Sequence, residues 1–263
     1  MDFNQNNKIS VLIITLNEEE NIPALLADLD FADEIIVVDS FSTDNTKSIA
    51  ISFSQVRFIE NNFENYSSQR NFAISQAKND WILFLDADER LSPALKNEII
   101  ATIKTNKTFS AFLFCRTFMF EDKVLHFSGN QTDKIFRLFN KNQAEYAKDR
   151  LVHEKLKVNG KIGVLKNKLI HYSYSNFQTY KAKTIRYGKF KAQEKFIKKQ
   201  KPSILLHFLY PAYNFLFNYI IRLGFLDGKR GLIICYLNAN SIYVRYQELK
   251  RLWNRKQKLP PKQ

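Results

Sequence analysis

Glycine is scarce in this chain and is absent from the first 128 residues. The 263 residues include seven glycines, and the first of them is Gly129. The two glycine-rich phosphate-binding loops, GxGxxG and GxxxxGK(S/T), are therefore excluded from everything that precedes it. A phosphate group bound there would need another source of positive charge, such as a metal ion.

Cysteine is scarcer still. Cys115 and Cys235 are the two cysteines, and they lie 120 positions apart, with no metal-binding or redox spacing. Isolated thiols of this kind are typical of a reducing compartment. The first ten residues, MDFNQNNKIS, lack the basic stretch and apolar core that mark a signal peptide. We therefore expect a cytoplasmic location.

Acidic residues are nearly absent from the last third of the chain. Residues 181–263 contain 19 lysines and arginines but 3 acidic residues, whereas residues 1–180 contain 21 and 23. The net charge of +14 therefore resides in a basic tail, which could face nucleic acid, anionic lipid or an acidic substrate. Aromatic residues in the tail interleave with aliphatic ones at helical spacing and do not mark base-stacking platforms. Nucleic acid is therefore not an expected partner.

The first half of the sequence alternates between strand and helix patterns. Continuous apolar runs occupy residues 9–15, 34–38 and 81–85, and VRFIEN adds a shorter strand. Helical patterns separate these runs, which predicts βαβ units and an α/β fold. The later segments SAFLFCRTFMF and DKIFRLFN predict antiparallel additions. The expected sheet is mixed and mostly parallel, with flanking helices.

Polar residues cluster where the predicted strands end. In an open parallel sheet the ligand binds outside the carboxyl ends of the strands. The polar residues expected there are Thr15, Asn17, Glu18, Asp39, Asp86 and Asp88. Each cluster also has a structural interpretation, as a turn, a helix cap or the acidic first turn of a helix. Their convergence on one edge of the sheet favours a functional site.

The segment DWILFLDADERLSP places three carboxylates directly after a buried strand. Asp86, Asp88 and Glu89 would repel one another by roughly 1 kcal/mol per close pair in water and roughly 4 kcal/mol at a surface-like dielectric. A positive partner is therefore required. Asp86 and Asp88 leave an extended chain on the same face and offer the oxygen ligands that Mg²⁺ or Mn²⁺ prefers. The alternative is a helix-capping turn ahead of Pro93.

The tail contains a long apolar segment, SILLHFLYPAYNFLFNYIIRLGF, with its polar interruptions on one stripe of a helix. These interruptions are spaced by four, three, four and four positions and are His207, Pro211, Asn214, Asn218 and Arg222. A narrow polar stripe, a wide apolar face and flanking basic clusters are typical of an amphipathic helix lying in a membrane interface. Packing on the protein's own core and spanning the bilayer are the alternatives.

Four segments in order resemble the family 2 inverting glycosyltransferases, and most of all those that add glucose to the inner core of lipopolysaccharide. The segments are ISVLIITLNEEENI, EIIVVDSFSTDNT, YSSQRNFAISQAKNDWILFLDADE and RLVHEKL, joined by the motif DGKRG that starts at Asp227. The resemblance implies a GT-A fold and a nucleotide-diphosphate-sugar donor, with UDP as the expected nucleotide. We expect this catalytic domain to occupy residues 1–175 and, from the charge and helical pattern of the tail, a basic helical membrane-associating extension to occupy residues 176–263.

The resemblance also implies roles for individual residues. The nucleotide-binding set is Thr15, Asn17, Glu18, Asp39, Arg70, Asn71 and Asp86. Asp88 matches the metal-side member of the family's Asp-x-Asp pair, with Asp86 as its ribose-side partner and His171 as a further candidate for metal or phosphate. A divalent metal that carries the diphosphate would then be the positive partner of the carboxylate cluster. Leu16 occupies the position where many relatives carry a ring that stacks on the nucleotide base. The identity of the base therefore stays open.

Catalysis requires a group that accepts the proton of the attacking hydroxyl. Glu154 is the candidate that the resemblance implies, with Asp149 as the alternative. His153 could orient the loop, bind substrate or be structural. Arg137 could contact acceptor or diphosphate, or pair with a neighbouring acid. The QxxRW signature of processive synthases is absent, which favours a single transfer per encounter.

The leading hypothesis is a metal-dependent hexosyltransferase acting on lipopolysaccharide core or another lipid-linked glycan at the inner face of the cytoplasmic membrane. A sugar nucleotidyltransferase is disfavoured because it would carry a glycine-rich phosphate loop near its first strand. The alternative from another class is a non-catalytic or degenerate transferase-like protein that binds anionic lipid.

Overall fold

A computed structural model describes residues 8–129, 133–147, 156–174 and 176–258. Within it the chain forms two compact units. The first unit comprises Met1–Arg116 and Asp133–His171, and the second comprises Thr117–Thr132 and Tyr172–Gln263. The predicted boundary at residue 175 between a catalytic domain and an extension stays a prediction.

Four parallel strands form the first half of the main sheet. They are β1 (Ile9–Thr15), β2 (Glu34–Asp39), β3 (Val56–Glu60) and β4 (Trp81–Asp86), in the spatial order β3-β2-β1-β4. The helices that connect them are α1 (Ile22–Ala27), α2 (Thr46–Ser52) and α3 (Tyr66–Gln76). The apolar runs form strands because helices cover both faces of this part of the sheet, as is usual for parallel strands.

The remaining strands extend the sheet with mixed directions. They are β5 (Glu89–Arg90), β6 (Phe109–Phe120), β7 (Lys123–Leu125), β8 (Lys134–Asn140), β11 (Lys161–Val164) and β12 (Leu169–Tyr174), while β9 (Ala144–Tyr146) and β10 (Leu156–Val158) pair separately. Helix α4 (Pro93–Thr105) follows β5. Strand β8 lies antiparallel to both β4 and β6. The predicted α/β class, with a mixed sheet and flanking helices, is confirmed.

Alternate residues of β1 enter two different hydrophobic clusters. Val11 and Ile13 pack with side chains of α1 and α4 on one face, and Leu12 packs with Ala73 of α3 on the other. Because successive side chains of a strand point to opposite faces, both the odd and the even positions from Val11 to Ile14 are apolar. The parallel register then aligns Thr15 with Asp39, so that the carboxyl ends of the strands meet at one edge.

The second unit is built around two long helices. They are α5 (Phe177–Ile197) and α7 (Gly228–Lys258). Gly188 lies so close to α7 that a Cβ atom there would come within 2.5 Å of the Ser241 carbonyl oxygen, and the Ser241 hydroxyl donates to the Thr184 carbonyl at 2.8 Å. The predicted helical C-terminal region is confirmed.

A third helical stretch of the second unit connects α5 with α7. Helix α6 (Ile204–Leu216) continues into a π-helical turn (Phe217–Ile221), and a 3₁₀ turn (Gly224–Asp227) leads into α7. Among the described residues, Ile204–Ile221 is the one segment long and apolar enough to cross a membrane by length and composition, with 6% of it buried.

Candidate functional site

The ends of β1 and β2 are joined by a buried carboxylate. Asp39 is 1% exposed. It accepts hydrogen bonds from the Thr15 hydroxyl at 2.8 Å and from both the backbone N–H and the hydroxyl of Ser42 at 2.6 Å. The side chain of Asp39 is therefore held at the carboxyl edge of the sheet by the loop that follows β2.

The loops after β1 and β2 are bonded to each other. Asn17 has a left-handed backbone (φ 56°), which asparagine tolerates better than most residues. Its side-chain oxygen accepts from the Thr43 N–H at 2.8 Å, and the Glu18 N–H donates to the Thr46 hydroxyl at 2.8 Å. The Glu18 carboxylate accepts from the Asn21 side chain at 2.7 Å. These bonds give the site a fixed rim.

Two arginines neutralise the carboxylate at the end of β4. Arg70 of α3 donates to Asp86 Oδ1 at 2.8 Å. Arg137 of β8 donates to Asp86 Oδ2 and also to Glu89 Oε1, the latter at 2.8 Å. Burial alone would raise the pKa of Asp86, but Arg137 and Arg70 lower the pKa of that carboxyl well below its usual value. The positive partners of Asp86 and Glu89 are therefore guanidinium groups. This changes the expectation that a metal ion alone would neutralise the carboxylate cluster.

Glu89 is the innermost member of the carboxylate cluster. It is 0% exposed, and burial raises its pKa above the usual value, against the opposing effect of Arg137. Its Oε2 atom accepts from the Asp86 backbone N–H at 3.0 Å. From the sequence, Glu89 belongs to the carboxylate cluster but has no predicted role. An arginine inside the apolar strand pattern KIFRLF was the signal that a buried acid must lie opposite.

Asp88 points to a different partner from Asp86. The Asp88 Oδ2 atom lies 3.3 Å from His171 Nε2. This contact forms because β12 pairs with β5 in a register that places His171 opposite Glu89. The strand patterns alone do not reveal this contact, because 83 positions separate the two residues. The family resemblance names both as metal candidates without placing them in contact.

The separation of Asp88 and His171 is that of an ion pair, and it is also compatible with two ligands of one divalent cation. Two adjacent ligands of an octahedral Mg²⁺, each at about 2.1 Å, lie about 3 Å apart, close to the observed separation. Among the described residues no group of three or more histidine, cysteine, aspartate or glutamate side chains is arranged to hold a metal. Mg²⁺ commonly takes one or two protein ligands and completes its shell with phosphate oxygens and water. The donor set therefore suits a metal that arrives with a phosphorylated ligand.

Asn71 ties α3 to β9. Its side-chain nitrogen donates to the Tyr146 carbonyl at 2.9 Å and its side-chain oxygen accepts from the Tyr146 N–H at 3.1 Å. The neighbouring Arg70 guanidinium lies 5.5 Å from the centre of the Tyr146 ring. Asn71 thus fixes the chain just before the segment with Asp149, His153 and Glu154, and those three residues lie outside the described residues.

The profile of the family described as Glycosyl transferase family 2 matches residues 10–159. This match covers more than half of the chain and contains β1 to β4, the Asp86–Asp88 pair and the described edge of the sheet. The chain belongs to glycosyl transferase family 2. The resemblance of the four sequence segments is thereby confirmed, and the protein is a glycosyltransferase.

The chain is similar over most of its length to other members of the family. A glycosyltransferase of Rickettsia bellii is 31% identical, over 93% of this chain and 87% of the relative. The lipopolysaccharide core biosynthesis glycosyltransferase LpsC of Rhizobium meliloti is 25% identical, over 90% of this chain and 93% of the relative. Among solved structures, TarS of S. aureus is 16% identical, with 95% of this chain and 92% of that chain covered and a TM-score of 0.47.

The glycosyltransferase motif that begins at Asp227 has a structural role in the second unit. The Asp227 carboxylate accepts from the backbone N–H groups of His126 and Phe127, each at 3.0 Å, and from the Ser128 hydroxyl at 2.9 Å. At Gly231 a Cβ atom would come within 1.9 Å of the Gly224 carbonyl oxygen. The motif therefore closes the turn into α7 against the segment that follows β7.

Proposed function

We propose that this glycosyltransferase inverts the anomeric centre while it transfers a hexose from a UDP-sugar to a lipopolysaccharide core or another lipid-linked glycan. Glucose is the favoured hexose. The enzyme would use Mg²⁺ or Mn²⁺ and would act at the anionic inner face of the cytoplasmic membrane. The observation that carries the proposal is the Asp88–His171 pair beside the arginine-bound Asp86, at the carboxyl edge of the parallel strands.

In this proposal Asp88 and His171 hold the metal. When bound, the metal supplies Lewis-acid stabilisation of the departing diphosphate. The buried Asp39 would accept from the base, and Asp86, fixed by Arg70 and Arg137, would accept from the ribose hydroxyls. The Thr15, Asn17, Glu18 and Asn71 side chains would keep these carboxylates and the nucleotide rim in place.

Glu154 is proposed as the base. The acceptor hydroxyl attacks the anomeric carbon, the bond to the diphosphate breaks with its electron pair on the phosphate oxygen, and the hydroxyl proton passes to Glu154. Asp149 would take this role if Glu154 does not. His153 is proposed to orient the acceptor. Arg137 is proposed to act through Asp86 and Glu89, because it is 1% exposed and bonded to both.

The acceptor class draws support from two sources. The similarity to LpsC over 90% of the chain points to a core saccharide of lipopolysaccharide. The 19 basic and 3 acidic residues of positions 181–263 favour an anionic surface. Since phosphorylated glycolipids are themselves anionic, the same basic region suits both the membrane and a lipid-linked acceptor.

Calorimetric titration of UDP with and without Mn²⁺ tests the donor site. We expect metal-dependent binding to the wild-type protein and at least about tenfold weaker binding to Asp88→Asn, since a lost ligand reduces metal affinity. Asp30→Asn is the matched control, because Asp30 is 81% exposed and precedes β2 at the opposite edge of the sheet. dTDP and GDP establish the base preference.

Two results would overturn the assignment. Binding of no nucleotide under either condition would remove the donor site altogether. Equal binding by the wild-type and Asp88→Asn proteins would remove Asp88 from the metal site. Metal-dependent binding that is intact in Asp30→Asn and lost in Asp88→Asn would support the donor site.

A further inference from the structure

Helix α6 packs on the second unit through its polar stripe. Its least exposed positions are His207, Pro211, Asn214 and Phe215, and α6 contains no fully buried residue. The polar stripe of α6 therefore faces the protein. Because the stripe packs inward, the wide apolar face is the side left uncovered by the described residues.

Specific contacts hold the polar stripe against the second unit. The His207 ring lies 4.4 Å from the ring of Tyr243 on α7. At the other end of the segment, Arg222 Nη1 donates to the Gly129 carbonyl at 3.0 Å, and the Arg222 carbonyl accepts from the Ser128 N–H at 3.3 Å. Both ends of Ile204–Ile221 are thus fastened to the same unit.

Exposed apolar side chains occur along the whole segment outside the polar stripe. Exposed fractions reach 74% at Ile204 and 67% at Ile221. The other exposed apolar side chains of this face are Leu205, Leu206, Phe208, Leu209, Tyr210, Tyr213, Leu216, Ile220, Leu223, Phe225 and Leu226. Exposed apolar patches larger than a few hundred Å² are rare on soluble monomers and mark interaction sites. We define these thirteen residues as the α6 face.

The charges that flank the α6 face distinguish between two possible partners for it, a lipid surface and a second copy of the chain. Lys198, Lys199 and Lys201 precede the α6 face, and Lys229 and Arg230 follow it. Two copies that joined through this face would bring their basic clusters together, which costs free energy. An anionic bilayer instead supplies phosphates to the lysines and acyl chains to the apolar side chains. Tyr210 and Tyr213 suit the boundary between the two regions.

The anchored ends argue against a spanning helix. A helix of 18 residues is about 27 Å long, so its length alone would allow it to cross. However, α7 packs along α6 and carries Arg230, Asn238 and Arg245. A spanning α6 would draw these polar groups and the 126–129 segment into hydrocarbon, where charged groups are costly.

We propose that α6, the π-helical turn and the 3₁₀ turn insert lengthwise into one leaflet of an anionic membrane. The α6 face enters the acyl region, the flanking lysines contact lipid phosphates, and the polar stripe stays against α7 at His207 and against the 128–129 segment at Arg222. This inference rests on the proposed membrane location and defines how the protein is attached. The segment is embedded in one leaflet; it neither spans the bilayer nor is held at the surface by charge alone.

Vesicle sedimentation tests the insertion. With phosphatidylglycerol and phosphatidylcholine vesicles at a 3:7 ratio, we expect the double variant Leu205→Asp/Leu209→Asp to bind at least about tenfold more weakly than wild type. The control is Ile51→Asp/Val164→Asp, whose apolar side chains are exposed to a comparable extent (57% and 49%, against 67% and 57%) but lie in the first unit. Equal binding by wild type and the Leu205/Leu209 variant would overturn the proposal. So would a lipid-free dimer, detected by light scattering, that does not bind vesicles.

Cysteine labelling distinguishes one-leaflet insertion from spanning. Lys201→Cys and Lys229→Cys are placed separately in a Cys115→Ser background and bound to sealed vesicles. Cys235 is fully buried, and burial raises its pKa to about 11, so it stays unreactive near neutral pH. We expect a membrane-impermeant maleimide to label both sites from outside. Labelling of one site only after detergent is added would show a spanning helix and overturn the proposal.

The proposed donor site can be assessed separately in the same proteins. UDP titration does not require lipid, so the Leu205→Asp/Leu209→Asp variant should bind UDP as wild type does. Loss of vesicle binding with retained UDP binding supports insertion through the α6 face. Vesicle binding without any UDP binding would leave the insertion standing and reject the donor site.

Discussion

At the scale of single residues, Glu89 joins the backbone and the side chain of Asp86. One carboxylate oxygen accepts from the Asp86 N–H, and the other accepts from Arg137, which in turn binds the Asp86 carboxylate. The ring of contacts fixes where Asp86 presents its oxygens. Glu89 itself is 0% exposed and so acts as a positioning residue.

We predict that Glu89→Gln weakens UDP binding about tenfold, equivalent to about 1.4 kcal/mol. Glutamine has one acceptor oxygen where glutamate has two, so either Arg137 or the Asp86 N–H loses its partner. Calorimetry in the presence of Mn²⁺ measures the effect, and the thermal unfolding midpoint is recorded beside it. Glu89→Ala should lower the unfolding midpoint further, because it removes both acceptors.

Glu98→Gln provides the matched control for this prediction. The Glu98 carboxylate likewise accepts with both of its oxygens, from the backbone N–H groups of Lys166 at 2.7 Å and Asn167 at 2.8 Å, but it lies on α4. Its replacement should leave UDP affinity unchanged. A tenfold loss in both variants would mean that general destabilisation, and not the position of Asp86, explains the result.

At the scale of elements, the close crossing of α5 and α7 depends on Gly188. We predict that Gly188→Ala destabilises the protein by about 1 kcal/mol. Overpacking costs roughly 1–3 kcal/mol, while the better helix propensity of alanine returns about 1 kcal/mol. The cost of overpacking outweighs the gain in helix propensity because the added Cβ would lie 2.5 Å from the Ser241 carbonyl oxygen. This oxygen belongs to the backbone, which cannot rotate away as a side chain can.

The unfolding midpoint of Gly188→Ala should fall by about 2 °C. Lys189→Ala, at the next and exposed position of the same helix, is the control and should change the midpoint little. A midpoint raised by Gly188→Ala would show that helix propensity dominates and that α5 and α7 can separate slightly at no cost.

The sequence revealed elements more reliably than it revealed which elements pair. Parallel strands covered on both faces are apolar throughout, so β1, β2 and β4 could be predicted, together with the polar residues at their ends. The contacts of Asp86 with Arg137 and of Asp88 with His171 do not follow from the strand patterns, because they depend on the long-range pairing of β8 and β12. The family resemblance named Asp88 and His171 as candidate metal ligands but not their contact with each other. Helical periodicity likewise predicted the stripe on α6 without indicating which side α7 covers.

At the scale of the whole molecule, the basic charge and the α6 face belong to the same part of the sequence. Residues 181–263 hold 19 basic and 3 acidic residues, whereas the preceding 180 residues are close to neutral. Membrane attachment should therefore have two separable contributions, one electrostatic and one apolar. Salt screens exposed charges but strengthens, or leaves intact, the burial of apolar side chains.

We predict that raising NaCl from 0.1 M to 1 M weakens binding to vesicles with 30% phosphatidylglycerol by at least about tenfold. The added salt shortens the Debye length from about 10 Å to about 3 Å. It therefore screens the basic residues near the surface, each of which contributes about 1 kcal/mol to binding. Binding should not vanish, because the α6 face remains in the acyl region. Binding to pure phosphatidylcholine vesicles should be weaker and nearly independent of salt. Complete release of the wild-type protein at 1 M NaCl would mean that charge alone holds it, whereas no response to salt would mean that the basic residues do not contact lipid.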